Sequence, residues 1–320
     1  MTANLRKREL WTALGPYLGL ILVFAFFAVR VPEYFLTERN FQDVATQTVI
    51  VAIGAMGMTF IVISGGIDLS VGSQIALGSV VAALTMKTTG NAAIAIAAGV
   101  GVGGLCGVLN GILITSLGVV PFIVTLGMLG VARGTAKFLA DEQRLNVDPG
   151  FIESIMAKQP VFDWMLVGPG VWLMFILAIG AAVVLRYSVL GLHTYAIGSN
   201  EATARLCGVR VKRTKIVLYS LCGLFAGLAG VLQYSRLNVG DPTTAVGLEL
   251  DIIAAVVIGG GSLSGGAGSL SGSLVGAFIM AILANGCTLI ELPNYVQEIL
   301  IGVIIVAAVA LDRFRGRSPG

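Results

Sequence analysis

Ten charge-poor apolar runs, at roughly 14–29, 44–63, 70–86, 92–114, 119–139, 169–185, 216–235, 251–268, 270–290 and 296–311, divide this chain from end to end. A hydrocarbon core of about 30 Å is crossed by about 20 residues at about 1.5 Å rise per residue, and the runs have about that length. In lipid a span must satisfy its own backbone hydrogen bonds, which leaves helices or a closed barrel. The runs are too long for barrel strands and lack the alternation that a polar lumen imposes. The expected fold is therefore an all-α polytopic membrane protein of about ten transmembrane helices, a single transmembrane domain over residues 1–320. Composition supports this. Only 12% of residues are charged, 56% are hydrophobic and the mean hydropathy is +0.93, against about 25% charged in soluble domains. Disordered chains are more polar still.

Ten crossings put both termini on one side, and the loops then test the positive-inside rule. On the proposed cytoplasmic side lie Arg6, Lys7, Arg8, Arg186, Arg205, Arg210, Lys212, Arg213, Lys215, Arg313, Arg315 and Arg317, opposed only by Glu9, Asp68, Glu201 and Asp312. That side carries +8 and the rest of the chain −5, within a total of +3. Arg6 to Arg8 ahead of the first run also fit a signal peptide; the nine later runs favour a retained anchor. Cys106, Cys222 and Cys287 fall in runs and Cys207 in an inner loop, so none pairs as an exported disulfide.

Two loops are long. The outer one, roughly 140–168, is acidic (Asp141, Glu142, Asp148, Glu153, Asp163) and carries Pro149 and Pro160. It reads as a short surface helix and docking face, or as a solvated loop. The inner one, roughly 186–215, holds six basic residues. Within it Ser199 or Asn200 can cap a helix, Glu201 suits the first turn and Arg205 the last, and Gly208 can supply a left-handed stop. Ala202 and Leu206 give this two-turn helix a narrow apolar face. So short a helix is marginal alone: it needs a partner surface, or it lies on anionic headgroups.

Two glycine-rich breaks, Ile63–Ser73 and Ile258–Ser269, share Ile-x-Gly-Gly followed by Leu-Ser and Gly-Ser. Either an internal repeat or common turn chemistry accounts for the match. Asp68, the one acid in the first break, is either a functional intramembrane acid or a cap for the next helix. Other patterns exclude functions. Gly99-Val-Gly-Val-Gly-Gly104 follows no strand and is not a dinucleotide site; with Gly107 and Gly111 it forms a small-residue stripe for close helix packing. No P-loop occurs, so the chain has no ATP site of its own. One histidine, His193, rules out a zinc protease and leaves no general base facing a serine in a span. Catalytic residues and metal ligands are therefore not expected. Gln74, Ser79, Asn110, Thr125, Ser220 and Asn285, with Thr59 and Ser64, are uncharged polar residues within spans, fit to line a path for a polar solute or to bond between helices.

Four segments in register, Ser64–Ser73, Pro121–Gly127, Ala196–Gly208 and Gly247–Gly260, resemble the ribose/xylose/galactose-type permeases of bacterial ABC importers, and the resemblance covers nearly the whole chain. Gly261 and Ala267 depart from it, where those permeases often carry a threonine and a basic residue. The resemblance implies a multi-pass subunit of the bacterial inner membrane, translocating a sugar or similar polyol. It implies a homodimer, a cytoplasmic ATPase subunit that binds the ATP and Mg, and a periplasmic solute-binding protein. Lipid is the only other expected partner, and no nucleic acid is. By the same resemblance Ser199, Asn200, Glu201, Ala202, Arg205, Leu206 and Gly208 form the coupling helix for the ATPase. Ser64, Gly65, Gly66, Asp68, Ser70, Asn110, Thr125 and Asn285 are the candidates for the translocation path or its gate. A permease for branched-chain amino acids or another small polar solute, or an ion-coupled secondary transporter, is the alternative.

Overall fold

A computed structural model describes residues 2–157 and 166–316, and helices account for nearly all of them. Asp163 and Pro160 of the outer loop and Arg317 lie outside the described residues, and the side chains of the first basic cluster, Arg6 to Arg8, are likewise not described.

Among the described residues, six helices are both long and apolar enough to cross a bilayer: α3 (Glu38–Ile63), α5 (Ala92–Leu117), α6 (Pro121–Leu139), α7 (Pro169–Tyr187), α10 (Val211–Leu237) and α12 (Leu270–Leu289). α1 (Thr2–Arg30) and α13 (Asn294–Gly316) each contain a shorter apolar stretch, and α4 (Val71–Thr89) lies within the core. The short helices are α2 (Pro32–Phe35), α8 (Val189–Ser199), α9 (Glu201–Leu206) and α11 (Leu248–Ile258). One apolar run is corrected. The stretch 251–268 is not a continuous span: α11 stops at Ile258 after 11 residues, about 16 Å of helix, half the thickness a crossing needs.

The reason is a helix stop written in glycine. Gly260 takes φ +91, and the amides of Gly260 and Gly261 donate back to the carbonyls of Val257 and Val256. This is the Schellman arrangement, in which the left-handed residue is almost cost-free only as glycine. The other break repeats it: Gly65 takes φ +79, while Gly65 and Gly66 donate to Val62 and Ile61. The Ile-x-Gly-Gly letters shared by the two breaks are thus the letters of one C-cap. The helices beyond the two caps take different courses, because α12 returns along α11 whereas α4 leaves α3 and packs against α5 and α10.

That packing depends on the stripe of small residues. Along α5, a Cβ on Gly103 would meet the backbone of Gly223 and Gly227, one on Gly107 the carbonyl of Tyr219, and one on Gly111 the Cα of Ile216 at 2.7 Å. Gly227 in turn faces Gly99 and Val100, and Gly78 of α4 lies against both Gly99 and Gly227. Three helices therefore meet backbone to backbone, where dispersion is gained without side-chain entropy. α3 is the central element: nearly all of it from Thr48 to Ile63 is buried. α1, α6 and α7 instead expose large apolar side chains such as Ile21, Phe26, Ile123, Ile176 and Ile179, as lipid-facing helices do.

Candidate functional site

The connection Ser64–Ser70 is not an exposed cytoplasmic turn. Apart from Gly65, its residues are buried or half-buried, and Asp68 is 0% exposed. Asp68 Oδ1 accepts from the Ser70 amide at 2.9 Å and the Ser70 hydroxyl at 2.5 Å, and its Oδ2 accepts from Asn110 Nδ2 at 3.4 Å. Ser70 Oγ also accepts from Gln74 Nε2 at 2.7 Å and Asn110 Nδ2 at 3.0 Å. Thr125 of α6 donates to the carbonyl of Ile67 at 3.4 Å, and Ser64 donates to Ile61 at 2.8 Å.

The structure thus gathers Asp68, Ser70, Asn110 and Thr125 around one buried break and ties it to α5 and α6. Asn285, buried on α12, takes no part in these bonds. Both readings of Asp68 hold in part: it receives the Ser70 amide at the start of α4, and it anchors a long-range network. Substituting Asp68 with alanine leaves the Ser70 and Asn110 donors short of an acceptor in a buried setting, which costs about 1–3 kcal/mol. Asp68→Ala is expected to lower the thermal midpoint of the detergent-solubilised protein and its transport; Leu69→Ala, at a half-buried neighbour, should do much less. Equal and mild effects would reduce Asp68 to a local cap.

On the basic side, α9 has the caps its sequence announces. Asn200 Oδ1 accepts from the Thr203 amide at 2.9 Å, and Gly208 stops the helix at φ +86, with Gly208 and Val209 donating to Arg205 and Ala204. Ser199 is the last residue of α8, so Asn200 alone is the cap. Ala204 is buried against Ile197 and Val211. Ala202 and Leu206 point away, and Leu206 is 89% exposed.

Glu201 faces the body of the protein, with salt bridges to Lys215 of α10 at 2.7 Å and Arg205 at 3.0 Å. The hydrogen bond from Lys215 is the main influence. Together with the charges of Lys215 and Arg205 it outweighs burial and holds the Glu201 carboxyl below its ordinary value. Glu201 is therefore a latch between α9 and α10.

The two regions touch. The Gly266 amide donates to the carbonyl of Ile63 at 2.8 Å, joining the second break to the end of α3. A Cβ on Gly198, the penultimate residue of α8, would strike that same carbonyl and the Gly266 amide; one on Gly265 would lie 3.0 Å from the Cα atoms of Gly198 and Gly65. Tyr195 Oη donates to Gly268 at 2.8 Å. Both glycine breaks and the base of α9 thus meet through backbone, a convergence the separate motifs do not announce.

At the far end of α10, the outer loop is fastened down. Its residues Gly150–Met156 form a 3-10 helix with Ile152 and Met156 buried, so it is tucked in rather than laid on the surface. Tyr234 Oη donates to Val147, Ser235 Oγ to Ile152, and Asn238 Nδ2 to Glu153. Leu145 pairs with Gly240, and Arg144 bridges to Asp241 at 2.9 Å.

A model of the permease component of branched-chain amino acid transport systems matches residues 40–309. The chain belongs to this family of transport permeases. It is 39% identical over 301 residues to the ribose import permease protein of Escherichia coli K12, covering 92% of each chain. The L-arabinose ABC transporter permease protein of Azospirillum brasilense is 34% identical, over 94% of this chain and 87% of the relative. The D-allose transport system permease protein of Escherichia coli K12 is 34% identical, over 95% and 92%. No solved structure matches the chain significantly.

Proposed function

We propose that this chain is the inner-membrane permease subunit of an ATP-driven importer for a monosaccharide. The observation that carries the reading is similarity over most of the chain to permeases named for ribose, arabinose and allose. A second observation bears on mechanism. α9 stands at the basic side with both ends capped and a bare apolar face, as a helix does when its partner is another protein.

In this reading the membrane is crossed about ten times with both termini cytoplasmic. α11 then serves as a half-length segment reached by a loop that dips from the outer side. α9 seats in a cytoplasmic ATPase subunit, which supplies the ATP site and the Mg. A periplasmic binding protein delivers the sugar at the face of the outer loop, and a second copy of the chain completes the channel. Closure of the ATPase pair moves α9. Because Gly198, at the base of α9, bears on the Ile63 carbonyl and on Gly265 and Gly266, the movement reaches both glycine breaks together, and the path exposes alternate sides.

Energy source and cargo are tested in vesicles loaded with ATP and given a loaded binding protein. Uptake of labelled ribose, arabinose or allose should persist after ionophores collapse the ion gradients and stop when ATP is removed. Uptake that dies with the gradients instead would make the chain an ion-coupled transporter.

A further inference from the structure

Beyond the candidates gathered at the first break, the fold forms an open-sided cavity of about 260 Å³ between α3, α10, α11 and α12. That is just below the usual range of ligand pockets, roughly 300 Å³ upward. It lies at the end of the bundle away from α9, since Gln233 is about 27 Å beyond Lys215 along α10 at the helical rise. Four polar side chains line it: Gln47 of α3, Gln233 and Arg236 of α10, and Asp251 of α11. Met280 and Ala284 of α12 form part of an apolar wall.

None of the residues gathered around Asp68 lines this space. The polar groups are also free. Among the described residues, Gln47, Arg236 and Asp251 make no side-chain hydrogen bond or salt bridge, and Gln233 uses only its Nε2, donating to Thr244 at 2.7 Å. Gln233 is buried, Gln47 and Asp251 are half-buried and Arg236 is exposed at the open side of the cavity; polar side chains within a membrane bundle ordinarily bond to one another or face a path. Here they converge on empty space with unused donors on Arg236 and Gln47, and unused acceptors on Asp251, Gln47 and Gln233.

We propose that this cavity receives the imported sugar inside the permease, resting on the reading of the chain as a monosaccharide importer. A neutral polyol fits the set. Each sugar hydroxyl both donates and accepts, Arg236 and Asp251 balance in charge, the two glutamines add neutral groups of both kinds, and the apolar wall meets a C–H face of the ring. A zwitterionic amino acid would also pair with Arg236 and Asp251, so uptake of leucine is measured beside that of the sugars.

The cavity also explains why the loop above it is so firmly held. Arg133 of α6 donates to the carbonyls of Pro242 and Thr244, at 2.9 and 2.6 Å, and Gln233 itself binds Thr244. The segment at the rim, Ala245 to Leu248, is therefore fixed from α6 and α10 together.

The test uses the whole transporter, with its ATPase and loaded binding protein, in proteoliposomes, and reads uptake and ATP hydrolysis side by side. The labelled probes are ribose, arabinose, allose and leucine. Gln47→Leu combined with Asp251→Ala removes two sets of sugar bonds, each net about 1 kcal/mol or more, so uptake should fall by about tenfold or more. ATP hydrolysis stimulated by the binding protein should persist. Uptake equal to wild type overturns the inference and leaves the sugar-import reading intact. A wild-type transporter that takes up leucine and no sugar fails that reading instead.

Should the double variant not assemble, Ala284→Cys in a Cys207→Ser background asks the same question, because the other three cysteines are buried. A hydrophilic thiol reagent added outside should modify it and block uptake while hydrolysis continues. Lack of reaction, or modification without block, overturns the assignment.

Discussion

Gly107→Val is expected to leave almost no folded permease in the membrane, whereas Gly101→Val on the same helix should accumulate normally. The two positions differ only in what a side chain would meet. At Gly107 a Cβ alone would collide with the Tyr219 carbonyl and lie 2.9 Å from the Cα of Ser220. At Gly101 nothing stands within 4 Å. Overpacking a core costs about 1–3 kcal/mol when side chains can move aside. Here the obstacle is the backbone of α10, held on both sides of the site by the contacts at Gly103 and Gly111, so relief requires separating α5 from α10. That would also pull α4 from its seat against Gly99 and Gly227. The expected loss is therefore large relative to a stability of about 5–15 kcal/mol. Membrane yield and the thermal aggregation midpoint in detergent measure it. Comparable stability of the two variants would mean that the stripe is not the contact that closes this three-helix junction.

That contact was legible in the sequence, because glycine at steps of four needs no knowledge of its partner to announce close packing. The same is true of α9: an amide cap, an early acid and a terminal glycine are local signals, and the helix they predict is the helix observed. Hydropathy failed over 251–268, since glycine and serine lower the average too little to reveal a stop within an apolar stretch. The stop was nonetheless spelled out in Ile258-Gly-Gly-Gly261. The cavity lies beyond any local reading. Gln47 lies on α3, far in the chain from Gln233 and Arg236 of α10 and Asp251 of α11, and a single polar residue near a span end looks like an ordinary boundary residue. Only the packing of α11 against α3, which lies between it and α10, brings them to one cavity. Likewise, Asp68 could be placed at a break by sequence, but its bond to Asn110 required α5 to be laid against that break.

Leu206→Asp is expected to abolish import while leaving the permease folded, stable and inserted. The side chain is almost wholly exposed and packs on nothing within the chain, so an aspartate there has no internal cost; its effect must fall on whatever covers α9. An ATPase groove that buries a leucine gains about 1.5–3 kcal/mol from it, and an unpaired carboxylate in the same place adds a desolvation penalty on top. Co-purification of the ATPase subunit should therefore fall at least tenfold, with transport falling alongside. Glu201→Ala acts differently. It frees Lys215 and Arg205 without touching the exposed face, so the ATPase should still bind while the stroke is lost between α9 and α10, giving hydrolysis with reduced import.

The acid dependence of the latch comes from the same geometry. Because Glu201 is held below its ordinary value, the latch is complete at neutral pH and is lost only as pH falls through the depressed value. Import should thus show no Glu201-dependent change across the physiological range. A Leu206→Asp variant that binds the ATPase and imports sugar like wild type would remove α9 from the interface, and the membrane surface would then be the partner its apolar face was built for.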